Sequence, residues 1–120
     1  MADSDCLFCK IVAGEIPADV VVENDTCIAF RDINAQAPTH VLVIPRTHHL
    51  NAAALAADEP ATMADLVRTA HEVAAAEGLT EDLDEQGYRL VFNTGAGAGQ
   101  SVFHVHLHVI GGRDLSWPPG

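Results

Sequence analysis

Basic residues are scarce in this 120-residue chain: six Lys and Arg stand against seventeen Asp and Glu, a formal charge of −11. That charge repels nucleic acid, anionic lipid and anionic metabolites at long range, which disfavours a DNA-binding or membrane-surface role. An anionic ligand would have to be captured locally, by backbone N–H groups and imidazoles. Long hydrophobic runs are missing as well. No stretch has the length of a signal segment or a membrane span, and the start Met1-Ala2-Asp3-Ser4-Asp5 is acidic, which predicts a cytoplasmic protein. Cysteine is limited to Cys6, Cys9 and Cys27, and an odd number without an export signal points to reduced thiols or a metal site, not a disulfide framework. With no repeat, linker or low-complexity tract, 1–120 reads as one domain with apolar content sufficient for a single core.

The order of elements follows from periodicity and punctuation. Cys6 to Val12 is short and apolar, with Asp5 as a cap and Gly14 as a stop, and predicts a short helix. Asp19 to Glu23 and Thr26 to Arg31 flank the turn dipeptide Asn24-Asp25 and predict a hairpin. His40 to Pro45 is a third strand, apolar enough to be buried on both faces. From Pro60 to Glu77, Met63, Leu66, Val67, Ala70, Val73 and Ala74 recur at three- and four-residue spacings, with Gly78 beyond, which defines the one long helix. Tyr88 to Asn93 and Ser101 to Ile110 are the remaining strands, joined by a Gly-rich loop. The expected class is α+β: an antiparallel meander of about five strands with one long and one short helix.

The segment Phe103-His104-Val105-His106-Leu107-His108-Val109 alternates with period two. On a strand, His104, His106 and His108 then share one face, while Phe103, Val105, Leu107 and Val109 share the other and feed the core. Three imidazoles in a row break an otherwise apolar pattern, and such breaks mark function. A metal held by all three is disfavoured, because the outer pair would be about 13 Å apart. Nucleophilic catalysis suits the row better: imidazole is largely uncharged near neutral pH, and transfer through it splits one hard displacement into two. His106, flanked on both sides, is the candidate nucleophile.

Immediately upstream, Asn93-Thr94-Gly95-Ala96-Gly97-Ala98-Gly99-Gln100-Ser101 carries three glycines. Glycine lets a backbone approach a phosphate and turn N–H groups toward it, which meets the local-capture requirement. The pattern matches neither a P-loop nor a dinucleotide fingerprint; its value is that it runs straight into the histidines. Cys6-x-x-Cys9 at the chain start lacks the strand that precedes a thioredoxin-like redox pair.

His104-Val-His106-Leu-His108-Val-Ile is similar to the signature of the histidine triad superfamily. The likeness runs from about Cys6 to Gly120, through Phe30-Arg-Asp-Ile, Ala37-Pro-Thr-His-Val-Leu-Val-Ile-Pro, Gly99-Gln-Ser-Val-Phe-His and Trp117-Pro-Pro-Gly. It is greatest for the nucleotide-binding, purine nucleoside phosphoramidase branch. The resemblance implies that His106 is transiently nucleotidylated, with His104 completing the triad and His108, Asn93, Gly99, Gln100 and Ser101 about the α-phosphate or leaving group. It implies that Asp32 holds the ribose, that Ile33 lines the nucleoside pocket, that His40 stands beside the triad and that Trp117 reaches a partner's site in a homodimer. Activity on dinucleoside polyphosphates, or nucleotide binding with little turnover, are the alternatives. No cofactor is required for catalysis on this reading. Some bacterial members hold a structural zinc; the matching positions are Cys6, Cys9, His104 and either His48 or His49, the other reading being two reduced thiols.

Overall fold

A computed structural model describes residues 5–120; Met1 to Ser4, most of the acidic start, lie outside the described residues. The elements are α1 (Leu7–Val12), β1 (Val20–Glu23), β2 (Cys27–Arg31), β3 (Thr39–Pro45), α2 (Ala52–Asp58), α3 (Pro60–Ala76), β4 (Tyr88–Val91) and β5 (Leu107–Gly111). They form an α+β fold around one antiparallel sheet of five strands in the order β1-β2-β3-β5-β4. The long helix ends where Pro60 and Gly78 say it should, Gly78 adopting φ +77°. Among the described residues no helix is long and apolar enough to cross a membrane.

Three features differ from the sequence expectation. The last two strands are exchanged relative to a simple meander: β5, whose Leu107, Val109 and Gly111 are buried, takes the inner position, and half-buried β4 takes the edge, where Arg89 reaches solvent. A third helix, α2, is present; Asn51 caps it by accepting from the Ala54 N–H at 2.9 Å, and its alanines favour helix without an apolar stripe. Finally, β5 starts at Leu107, not Ser101. Pro45 has no N–H to extend the β3–β5 ladder past Val43↔Leu107, and the Val105 N–H turns instead to the His49 carbonyl at 2.8 Å.

The sheet separates two apolar layers. Cys27, Ala29, Val41, Val43, Val105, Leu107 and Val109 meet Leu55, Leu66, Ala70 and Val73 of α2 and α3. Each large side chain of this layer stabilises the fold by about 1.5–3 kcal/mol. Phe103 does not join it; 46% exposed, it lies outside the strand that would have turned it inward. On the opposite face Ile28, Phe30, Leu42 and Ile44 pack against Cys6, Phe8 and Cys9 of the α1 segment. His108 pairs with Leu42, so the histidines face α1.

Candidate active site

Phe8 is the hinge of this face: its ring stands edge-on to Phe30 at 5.5 Å, to His104 at 6.0 Å and to His106 at 5.1 Å. On one side of it opens a cleft of ≈ 910 Å³, whose wall includes the apolar Leu7, Phe8, Ile11, Phe30 and Leu42. The polar groups of the same wall include Asp32, Asn93, Gly99, Ser101, His106 and His108. Ile33 lies at the rim, fully exposed. Thus seven of the residues picked out in the sequence meet at one cleft.

Hydrogen bonds define which nitrogen of each imidazole carries the proton. His106 Nδ1 is 2.9 Å from the His104 carbonyl, which can only accept, so the neutral ring keeps its lone pair on Nε2 in the cleft wall. Burial lowers the pKa of His106, against the carbonyl bond and the Asp32 charge, and so favours this neutral form. The Gln36 N–H donates to His40 Nδ1 at 3.0 Å, which places the His40 proton on Nε2. His40 Nε2 lies 2.9 Å from His108 Nδ1 and 3.4 Å from Asp32 Oδ2, so His108 accepts and its own proton stands on Nε2. That Nε2 is buried and has no partner among the described residues. Burial, with the neighbouring His106 and His40, pulls the pKa of His108 down to about 4. Asp32, His40 and His108 are close enough to suggest a second metal cluster, but with the Gln36 N–H on Nδ1, neutral His40 has no lone pair on Nε2 to give.

The other expected residues divide. His40 stands behind His108, not in the cleft wall. Asp32 acts also as a turn cap, its Oδ1 accepting from the Asn34 N–H at 2.8 Å. Gln100 is buried and braces the glycine loop: its amide takes the Gly95 N–H and donates to the Leu50 and Val102 carbonyls. Trp117 is 82% exposed and lines no part of the cleft. His104 turns away from it altogether, its ring wholly buried on the far side of Phe8. Phe8 and the Gln36 backbone were missed in the sequence, the first as an ordinary apolar residue and the second because any residue supplies an N–H.

Behind Phe8, Cys6, Cys9, His48 and His104 bring four ligand atoms within 4.8 Å of one another. The distances are 3.3 Å between His48 Nδ1 and His104 Nδ1, 3.5 Å from His104 Nδ1 to each sulfur, and 3.2 Å from His48 Nδ1 to Cys9 Sγ. A tetrahedron drawn with ordinary zinc bond lengths has N···N edges of about 3.3 Å and N···S edges of about 3.6 Å. His104 Nε2 donates to the Pro45 carbonyl at 3.0 Å, leaving Nδ1 bare toward the sulfurs, as a metal-binding imidazole requires. This cluster can hold a metal. His49 is not in it: its ring is paired with Glu59 and Asp58.

Comparison with known proteins shows the family and the fold. A family model described as HIT domain matches residues 13–115. A HIT-like protein of Synechococcus elongatus is 50% identical over 116 residues, 97% of each chain. A 14 kDa zinc-binding protein of Zea mays is 45% identical over 98% of this chain and 90% of its own. The crystal structure of a HIT family hydrolase from Legionella pneumophila superposes with a TM-score of 0.89 at 51% identity, over 97% of this chain and all of that one.

Proposed function

Starting from a chain that belongs to the HIT domain family, we propose that it hydrolyses purine nucleoside 5′-phosphoramidates, or acyl-nucleotidylates, to the nucleoside monophosphate through a nucleotidyl-His106 intermediate. The observation that carries this reading is the bare Nε2 of a neutral His106 in the cleft wall, beside His108 and the glycine loop. The base lies against the apolar side chains of the wall and the ribose against Asp32. His106 Nε2 forms a bond to phosphorus as the bond from phosphorus to the leaving nitrogen breaks, and the amine departs with a proton taken up at the open mouth. Water then attacks phosphorus, loses a proton to solvent and frees the imidazole. Throughout, the His108 Nε2–H donates to the phosphoryl or leaving atom as charge grows there.

Among superfamily reactions, the charge of the cleft favours an amine over a polyphosphate as leaving group. Among the described residues Arg31 is the one Lys or Arg in the wall, and its guanidinium is bound to Glu77 by bonds of 2.7 and 3.1 Å. A departing nucleoside polyphosphate would find no free cation there among the described residues. The Cys6, Cys9, His48 and His104 cluster is assigned a structural zinc, which would tie α1 to the sheet; the Zea mays relative supports this. A homodimer belongs to the same reading, supported by the exposed Trp117, which lines no part of the cleft, and by the open β4 edge; sedimentation checks it. The decisive enzymology is His106→Ala assayed with adenosine phosphoramidate and with a diadenosine polyphosphate. Turnover of the phosphoramidate is lost while monophosphate binding, read by calorimetry, remains; activity retained in the variant rejects the mechanism, and preference of the parent for the polyphosphate rejects the substrate class.

A further inference from the structure

The relay that sets the His108 proton begins outside the cleft. Gln36, in the loop between β2 and β3, is held at three points. Its N–H donates to His40 Nδ1, its side-chain amide donates to the Asn34 carbonyl at 2.9 Å, and its carbonyl accepts from Arg113 Nε at 2.9 Å. Arg113 belongs to the segment that leaves β5. That segment presses on the same loop: at Gly112, with φ +88°, an added Cβ would stand 2.9 Å from Pro38 Cβ.

A pair of hydrogen-bonded neutral imidazoles has two proton arrangements of opposite polarity. In the one dictated by the Gln36 N–H, protons stand on Nε2 of both rings, and His108 offers a donor to the cleft. In the other, both protons stand on Nδ1, and His108 offers a lone pair, which repels phosphoryl oxygens. A loop peptide free to rotate its N–H away from His40 Nδ1 would permit the second arrangement; Asp32 Oδ2, 3.4 Å from His40 Nε2, opposes it. The His108 Nε2–H is buried without a partner among the described residues, a condition that destabilises a fold unless a ligand fills it.

We propose that Arg113, through the Gln36 peptide it grips, is a positioning residue that holds the His40–His108 pair in the tautomer whose proton faces the reacting phosphoryl group. This rests on the phosphoramidate reading for its effect on rate, and not for its effect on the imidazoles. It also links the C-terminal segment, which continues to Trp117, to the chemistry of the cleft.

Long-range proton–nitrogen correlation spectra of nitrogen-15-labelled protein read the tautomers directly. The unaltered protein shows His40 and His108 protonated at Nε2 and bare at Nδ1. Arg113→Ala gives mixed tautomers at both rings and a kcat lower by about 10- to 100-fold, the range of displaced supporting groups, and it weakens AMP binding as well, because the tautomer with a lone pair on His108 Nε2 repels the phosphate oxygens. Arg113→Lys, which keeps the charge but has no Nε–H, behaves as the alanine variant. Pure Nε2–H tautomers in Arg113→Ala overturn the proposal, whether or not kcat falls, and so does a protonated Nδ1 on His108 in the unaltered protein, a result independent of any variant's folding. An unaltered protein that turns over no phosphoramidate rejects the functional reading, whereas the imidazole spectra still decide the proposal.

Discussion

Removing one ligand from the Cys6, Cys9, His48 and His104 cluster is the perturbation whose consequences reach furthest. Helix α1 has six residues, far short of the roughly 12–15 at which isolated helices become even marginally stable, so its place on the sheet is owed to tertiary ties. Two are visible: the packing of Phe8 on Phe30 and the histidines, and the four convergent ligand atoms. Zinc present at about 1,000 times its Kd stabilises the folded state by about 4 kcal/mol. For a chain of this size that corresponds to a rise in Tm of roughly 15 °C. The same helix supplies Leu7, Phe8 and Ile11 to the cleft wall, so affinity for AMP falls with the metal. The assay is elemental analysis of protein purified without added metal, with melting curves and calorimetry before and after chelation. One equivalent of zinc is expected, lost in Cys9→Ser together with most of that Tm increment. Because His106 and His108 lie outside the cluster, chelated protein that stays folded hydrolyses saturating substrate at an unchanged kcat. Metal-free protein whose Tm is insensitive to chelator, or a kcat that tracks bound metal, refutes the structural assignment.

Other consequences are local. Burial holds His108 neutral down to about pH 4 when folded, against about 6.5 unfolded; its contribution is complete above pH 6.5 and is lost as the pH falls toward 4, since the unfolded chain binds the extra proton. The loss amounts to no more than about 3 kcal/mol; urea denaturation at pH 7 and 4.5 should show His108→Gln losing less on acidification than the parent, and equal losses contradict it. In Gly111→Ala the new Cβ would stand 2.6 Å from Leu79 Cδ1 and 3.2 Å from the Gly87 carbonyl, destabilising the chain by about 1–3 kcal/mol; an unchanged urea midpoint is the contrary result. Gln100→Ala frees the Gly95 N–H and two carbonyls, lowering stability by about 1–3 kcal/mol and loosening the glycine loop, so AMP affinity drops with it. Retained affinity in that variant, measured by calorimetry, would remove the bracing role.

What could be read from the residues was chiefly local. Pro60, Gly78 and the spacing between them bounded α3, and period two put His104, His106 and His108 on one side even though half of their segment lies outside the strand. The start of β5 depended instead on Pro45, 62 positions earlier, whose missing N–H ends the ladder only because that strand is its neighbour. The exchange of β4 and β5 is likewise non-local, decided by which strand tolerates an edge. α2 had a legible signal, an Asn cap before an alanine run, but with Leu55 as its one large apolar residue it had no periodicity to follow. His104 lies nearly a hundred positions from Cys6 and Cys9, and their meeting was implied by resemblance alone. The choice of His48 over His49 followed from Glu59 and Asp58 engaging the second ring. The Gln36 N–H had no sequence signal, because every residue but proline offers the same group.

The central claim is that the middle histidine bonds to phosphorus. Protein mixed with excess adenosine phosphoramidate, quenched in alkali within milliseconds and digested for mass spectrometry, tests it directly. An adenylyl mass increment on the peptide bearing His106, localised to that residue and absent from His106→Ala, is the predicted result. Steady turnover with no such adduct at any quench time, or the adduct on another side chain, would contradict it.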